Sequence, residues 1–250
     1  MIKLRGYSAK TLISLVAFLI LAPSLAAGQE KAPAMPEMAT YFLALLSRGP
    51  NSTTEQTPET QRIQAEHMKH IQQMAADGKL VAAGPIVDGG ALRGIFIFAV
   101  SSLEEAKALA NADPAVKAGR LAAEVHPWMS QKGIGARNTA AVKANPQHNF
   151  EMATYQLALA RPGPKATAES TPETQKLRSD HLANIFKMIA SGKLGLAGPC
   201  LDGGSLSGVF VFQVGSIEEA KALTDSDPLV KAGILVVELH PWMAAKGTLP

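Results

Sequence analysis

Apolar and polar positions change period in a fixed order along this chain, and the order occurs twice. Ala39–Leu46 is a short apolar run of strand length. Thr57-Pro58-Glu59 then supplies an N-cap, a proline at the first helical position and an acidic first turn. Ile63, His67, Ile71 and Met74 follow at helical spacing, forming one stripe of a helix that runs to about Ala76 and is stopped by Gly78. Leu80–Val87 and Gly94–Val100 read as two strands joined by the turn Asp88-Gly89-Gly90. Ser102–Glu105 is a capping box that opens a second helix, which ends near Asp113-Pro114. Residues 113–119, DPAVKAG, form a further short turn; Leu121–Val125 is the last strand, ended by Pro127. The order β-α-β-β-α-β predicts an α+β, ferredoxin-like unit, an antiparallel four-stranded sheet with both helices on one face.

The second passage is a copy of the first. EMATYFLAL at 37–45 returns as EMATYQLAL at 151–159, GPIVDGG at 84–90 as GPCLDGG at 198–204, and EVHPWM at 124–129 as ELHPWM at 238–243. The offset is 114 residues throughout, and 54 of 93 aligned positions are identical. That period is far longer than solenoid repeats, which reach ~50 residues. The chain is therefore a tandem duplication of a whole domain, 37–129 and 151–243, with 130–150 read as a flexible linker rich in Ala, Asn, Gly and Lys. IFIFAV at 95–100 and VFVFQV at 209–214 are too apolar on both sides for one face to meet water. The expected solution is sheet-to-sheet packing of the two copies into an intramolecular pseudo-dimer, with further homo-oligomers open.

Residues 1–28 read as a cleavable signal peptide. Lys3, Arg5 and Lys10 precede the apolar run Thr11–Ala22, then Pro23 and small residues. A secreted or periplasmic protein is expected, without membrane attachment once the leader is removed. The leader holds three of the 24 basic residues and no acidic ones, so the formal +3 of the whole chain leaves 21 basic against 21 acidic residues in 29–250. A neutral mature chain with 5% aromatics has neither the charge nor the stacking surfaces that nucleic acid requires. The single cysteine, Cys200, cannot form a disulfide within the chain and reads as a small buried hydrophobe.

HMKHIQQMAADGKLVAAGP at 67–85, SLEEAKALANADPAVKAG at 102–119 and EVHPW at 124–128, with their second copies, resemble the YCII-related domain of the dimeric α+β-barrel superfamily. The resemblance implies two ferredoxin-like units paired into a barrel, a cleft between helix and sheet holding a His and an Asp, and small-molecule chemistry without an obligatory organic cofactor. The superfamily also holds haem-degrading enzymes, mono-oxygenases and isomerases, so the fold cannot name a reaction.

His67 and His181 sit on the apolar helix stripes, where a nearby carboxylate would orient the ring as a general acid or base. The resemblance favours Asp113 and Asp227 as partners. Asp88 and Asp202, in the DGG turns, are the alternative, and equally suit turn formation; Asp77 is replaced by Ser191 in the other copy. His126 and His240, in the HPW triplets, are candidates for the pocket rim, grouped with Asp88 and Asp202 as ligand-binding residues, although packing beside Trp128 and Trp242 is the simpler role. His67 and His70 could share a metal at i, i+3, but Asn184 replaces His70 in the second copy, so no metal site is assigned. No phosphate-binding, serine-hydrolase or HExxH zinc motif is present. The expected function is an exported, cofactor-independent acid–base enzyme of isomerase or lyase type with a small-molecule pocket in each half. The alternative is a non-catalytic module that captures a small ligand, such as a haem-like ring, or serves assembly.

Overall fold

The computed structural model describes residues 36–145 and 148–250; the leader reading for 1–28 lies outside them. The first half runs β1 (Met38–Arg48), α1 (Pro58–Ala76), β2 (Leu80–Pro85), β3 (Leu92–Phe98), α2 (Leu103–Ala112), α3 (Pro114–Lys117) and β4 (Leu121–Gln131). After α4 (Ala136–Ala144) the second half repeats the series as β5 (Met152–Pro162), α5 (Pro172–Ala190), β6 (Leu194–Pro199), β7 (Gly208–Phe212), α6 (Ile217–Asp225), α7 (Pro228–Lys231) and β8 (Leu235–Ala245). The sheets are antiparallel in the orders β2-β3-β1-β4 and β6-β7-β5-β8, the ferredoxin-like arrangement in both halves.

Strand alternation explains why both faces are apolar. Leu43, Leu45, Ile95, Ile97 and Trp128 point into a shared core with Leu157, Leu159, Val209, Val211 and Trp242 of the other half. Phe42, Ala44, Leu46, Phe96 and Phe98 point the other way, onto Met74 of α1 and Ala106 and Ala110 of α2. The second half repeats this outer layer with Ala158, Ala160, Phe210 and Phe212 against Met188 and Ala220. The face that one unit would leave open is covered by its copy within the same chain.

The sheets also meet edge to edge at two seams, closing them into a barrel of eight strands. Ile86, just past β2, bridges Trp242 of β8, and Trp128 of β4 bridges Cys200, just past β6. The Val87 N–H donates to the Pro241 carbonyl at 3.0 Å, and the Leu201 N–H to the Pro127 carbonyl at 2.8 Å. The Gly-Pro pairs make this approach possible. A Cβ on Gly84 would stand 1.9 Å from the Met243 carbonyl oxygen, and one on Gly198 1.7 Å from that of Met129. Only glycine lets the two backbones come so close.

Two expectations from the sequence need correction. Pro127 does not end its strand: β4 continues to Gln131, with Pro127 opposite Phe42. A residue's N–H and C=O leave a strand on the same side, and the Pro127 carbonyl faces the seam. Its missing N–H therefore faces away from β1 and leaves that ladder intact. Pro241 is placed the same way opposite Gln156. Residues 130–145 are not a plain flexible linker. Ser130, Gln131 and Ile134 are buried, the Tyr41 hydroxyl accepts from the Gly133 and Ile134 N–H groups, and α4 follows. Cys200 packs against the barrel core, and burial, with a smaller push from Asp202, drives its thiol pKa up to about 12.

Candidate functional site

Helix α1 presents His67 toward the outer face of the sheet, where the ring stacks on Phe96 with centroids 6.0 Å apart. Its Nδ1 lies 2.7 Å from Asp113 Oδ2. An ionised carboxylate only accepts, so Nδ1 carries the proton and Nε2 is the nitrogen left for a ligand. Asp113 is fully buried. Its other oxygen, Oδ1, accepts from the Ala115 N–H at 2.8 Å and the Val116 N–H at 3.4 Å, capping α3. The Asp-Pro dipeptide thus does two jobs: the cap fixes the carboxylate, and the carboxylate fixes the imidazole. The helix-end role weighed in the sequence is thus present, and it is compatible with the carboxylate orienting His67.

The second half repeats the arrangement. His181 Nδ1 lies 2.9 and 2.8 Å from the two oxygens of Asp227, which caps α7 through the Leu229 N–H at 3.0 Å. Asn184 adds a donor, its Nδ2 standing 3.1 Å from Asp227 Oδ2. Burial alone would raise the Asp227 pKa, but the bonds from His181, Asn184 and the Leu229 N–H hold it below its ordinary 3.8. In the first half the residue matching Asn184 is His70, which turns away and donates from Nε2 to the Leu109 carbonyl at 3.0 Å. The rings of His67 and His181 remain 13% and 15% exposed, so each can meet a small molecule.

Asp88, Asp202, His126 and His240 also pair, but across the halves. His240 Nδ1 lies 2.6 Å from Asp88 Oδ2, and His126 Nδ1 lies 2.7 Å from Asp202 Oδ2. Each Asp also accepts from the glycine two residues on, at 2.7 Å for Gly90 and 3.3 Å for Gly204, so the turn-forming role holds as well. Burial opposes ionisation of Asp88 and Asp202, yet the histidine and turn bonds keep both below 3.8. Glu124 and Glu238 lie 3.1 Å from the respective Nε2 atoms, close enough for ion pairing but without hydrogen-bond alignment. These four residues fasten the two seams. Their partners are 76 and 152 positions apart, and no local pattern announced them.

The clefts in front of the two helix histidines differ. The first, about 480 Å³, is lined by His67 with Arg48, Arg93 and Arg120, the loop Ser52–Thr54, Gln56 and Gln64. The second, about 420 Å³, sets His181 among Met129, Leu182, Ile185, Phe186, Ile189 and Phe210, with Arg178 at hand. Attention to histidines and carboxylates passes over the three arginines. Their signal lies in the alignment of the copies, where Arg48, Arg93 and Arg120 face Pro162, Ser207 and Ile234.

Two ferredoxin-like units closed into one barrel, each with a His–Asp pair between helix and sheet, define an α+β-barrel protein. The YCII-related domain family model matches residues 40–129 and again 155–243, and the chain belongs to that family in two tandem copies. No curated protein matches it in sequence. Among solved structures it is similar to two mutant forms of chlorite dismutase from Candidatus Nitrospira defluvii. One has a TM-score of 0.54 at 12% identity, covering 86% of this chain and 95% of that one. The other has 0.55 at 11%, covering 85% and 94%. At such identities the likeness concerns the fold alone.

Proposed function

We propose that this protein is a small-molecule enzyme of acid–base type, in which His67 with Asp113, and His181 with Asp227, move a proton on a bound substrate. The observation that carries this reading is the repeated pair: an imidazole oriented by a buried, capped carboxylate, its other nitrogen left for a cleft. The Asp holds the ring in one tautomer and stabilises the imidazolium that forms when Nε2 takes a proton. Such a pair removes a proton beside a carbonyl and returns it elsewhere, the requirement of an isomerase or lyase, and needs no organic cofactor. A small organic acid or ring suits clefts of this volume.

The test is solvent deuterium incorporation into a panel of small keto acids, followed by proton NMR. Exchange should be catalysed by the native protein and fall by about 10²-fold or more in His67→Ala/His181→Ala. Exchange that persists in the double variant, or fails to exceed buffer with every compound, refutes the reading.

A second reading applies to the second half. Its cleft is walled by apolar side chains, which supports holding an apolar ligand without turnover. The assembly reading has less support, because the sheet faces are already covered within the chain. The leader-like segment 1–28 supports export to the periplasm or beyond, and cell fractionation tests it. Among the described residues, no helix is long and apolar enough to cross a membrane.

A further inference from the structure

We infer that the first half's cleft binds a small anion, a carboxylate or phosphate group, on Arg93 and Arg120 beside His67, and that the second half has no such site. This rests on the proposed chemistry at His67 and names the substrate class it acts on.

Three guanidinium groups reach one cleft from three strand regions. Arg48 ends β1, Arg93 lies in β3 and Arg120 immediately precedes β4. A register shift between Leu46 and Ser47 precedes Arg48, and a bulge of this kind re-aims the side chains that follow it. Arg48 is tied to the Gly90 and Gly89 carbonyls, both at 3.3 Å, which orients it without neutralising it. Arg120 donates from Nη2 to the Thr53 carbonyl at 3.1 Å, while its Nη1 is buried with no partner. Arg93 is half-buried and makes no hydrogen bond or ion pair among the described residues; the charge it feels is that of Asp88, already bound to His240. Among the described residues, no carboxylate lines the cleft.

Three like charges with one already-bound carboxylate near them repel, and a buried N–H without an acceptor is costly. Both costs vanish when an oxyanion that offers two oxygens to a guanidinium, as a carboxylate or a phosphate does, occupies the cleft. The loop Ser52–Thr54 adds hydroxyls at the same rim. An anion held there would bring its neighbouring carbon within reach of His67. At the matching positions the second half carries Pro162, Ser207 and Ile234, and its cleft is apolar.

The test titrates the protein with inorganic phosphate and, separately, with malonate, by calorimetry and by the ring signals of His67. Saturable binding of either anion is expected, and the preferred one separates phosphate esters from carboxylic acids as the natural class. Arg93→Ser/Arg120→Ile, which installs the second half's residues, should weaken it at least 10-fold while the thermal melt stays native. Should that pair unfold, Arg93→Gln alone should weaken binding at least threefold. Failure of both anions to bind, or unchanged affinity in a folded arginine variant, overturns the inference. Deuterium exchange lost in His67→Ala without anion binding would leave the acid–base reading standing and remove this one. Anion binding without any exchange would do the reverse.

Discussion

Where the first half has Arg93 the second has Ser207, and where the first has Arg120 the second has Ile234. Behind these differences both halves keep the same histidine on the same helix face, and the same Asp-Pro cap behind it. Duplication preserved the part that orders the chain and let the walls diverge. The Asp is fixed because the same carboxylate caps the short helix that follows it and binds the imidazole, so its loss disturbs backbone and histidine together. Residues lining the cleft carry no such load, and one copy is cationic where the other is apolar. On the acid–base reading proposed above, the difference teaches that the shared pair sets what each half does to a proton, and its surroundings set which molecules arrive.

The most damaging change to that comparison would dissolve both sites at once. Gly198→Ala sets a Cβ 1.7 Å from the Met129 carbonyl oxygen. The seam must open, at a cost of about 3 kcal/mol or more, and thermal unfolding should read it. Next comes a change that separates the halves. With anionic substrates, His67→Ala should lower turnover by about 10²-fold or more, whereas His181→Ala should leave it within about threefold. Equal losses would show that both clefts accept anions and that the wall residues do not discriminate.

Acid should weaken both halves together. Asp88, Asp202 and Asp227 ionise below their ordinary 3.8 in the folded chain. A carboxylate with a lowered folded pKa stabilises fully above its unfolded value, and the contribution disappears as pH falls through the folded one. Stability should therefore be level above about pH 5 and decline below pH 4. Asp88→Asn/Asp202→Asn should flatten the decline in a melt followed across pH. The smallest effect sharpens the contrast between the pairs themselves. Asn184→Ala removes one donor from Asp227 and should cost about 1 kcal/mol. His70→Ala leaves the Asp113 pair untouched, because His70 bonds to Leu109 instead.

Much of this was legible in the residues. The constant offset revealed the duplication, and the helix stripe placed His67 against the sheet. The two-sided apolarity of IFIFAV required a second sheet, and the structure supplies it from the same chain. Local rules failed where the answer depended on direction or on distant partners. Pro127 looks like a strand stop unless one knows that its nitrogen faces the seam. Which Asp partners each helix histidine stays open on the residues alone, because Asp113 meets a histidine 46 positions away while Asp88 meets a different one 152 positions away. Ser130–Ile134 reads as linker until Tyr41 and the barrel edge come to meet it. The arginines are unremarkable one by one and gain meaning only when three strand regions converge.

The central claim is that each helix histidine is oriented by the aspartate of its own half. Long-range proton–nitrogen NMR of the imidazoles tests it most directly, recorded at alkaline pH on the native protein, Asp113→Asn and Asp227→Asn. The account predicts that His67 and His181 both carry their ring proton on Nδ1, with a downfield signal that disappears in the variant of the same half and survives in the other. Protons on Nε2 in both rings, indifferent to either substitution, would contradict it.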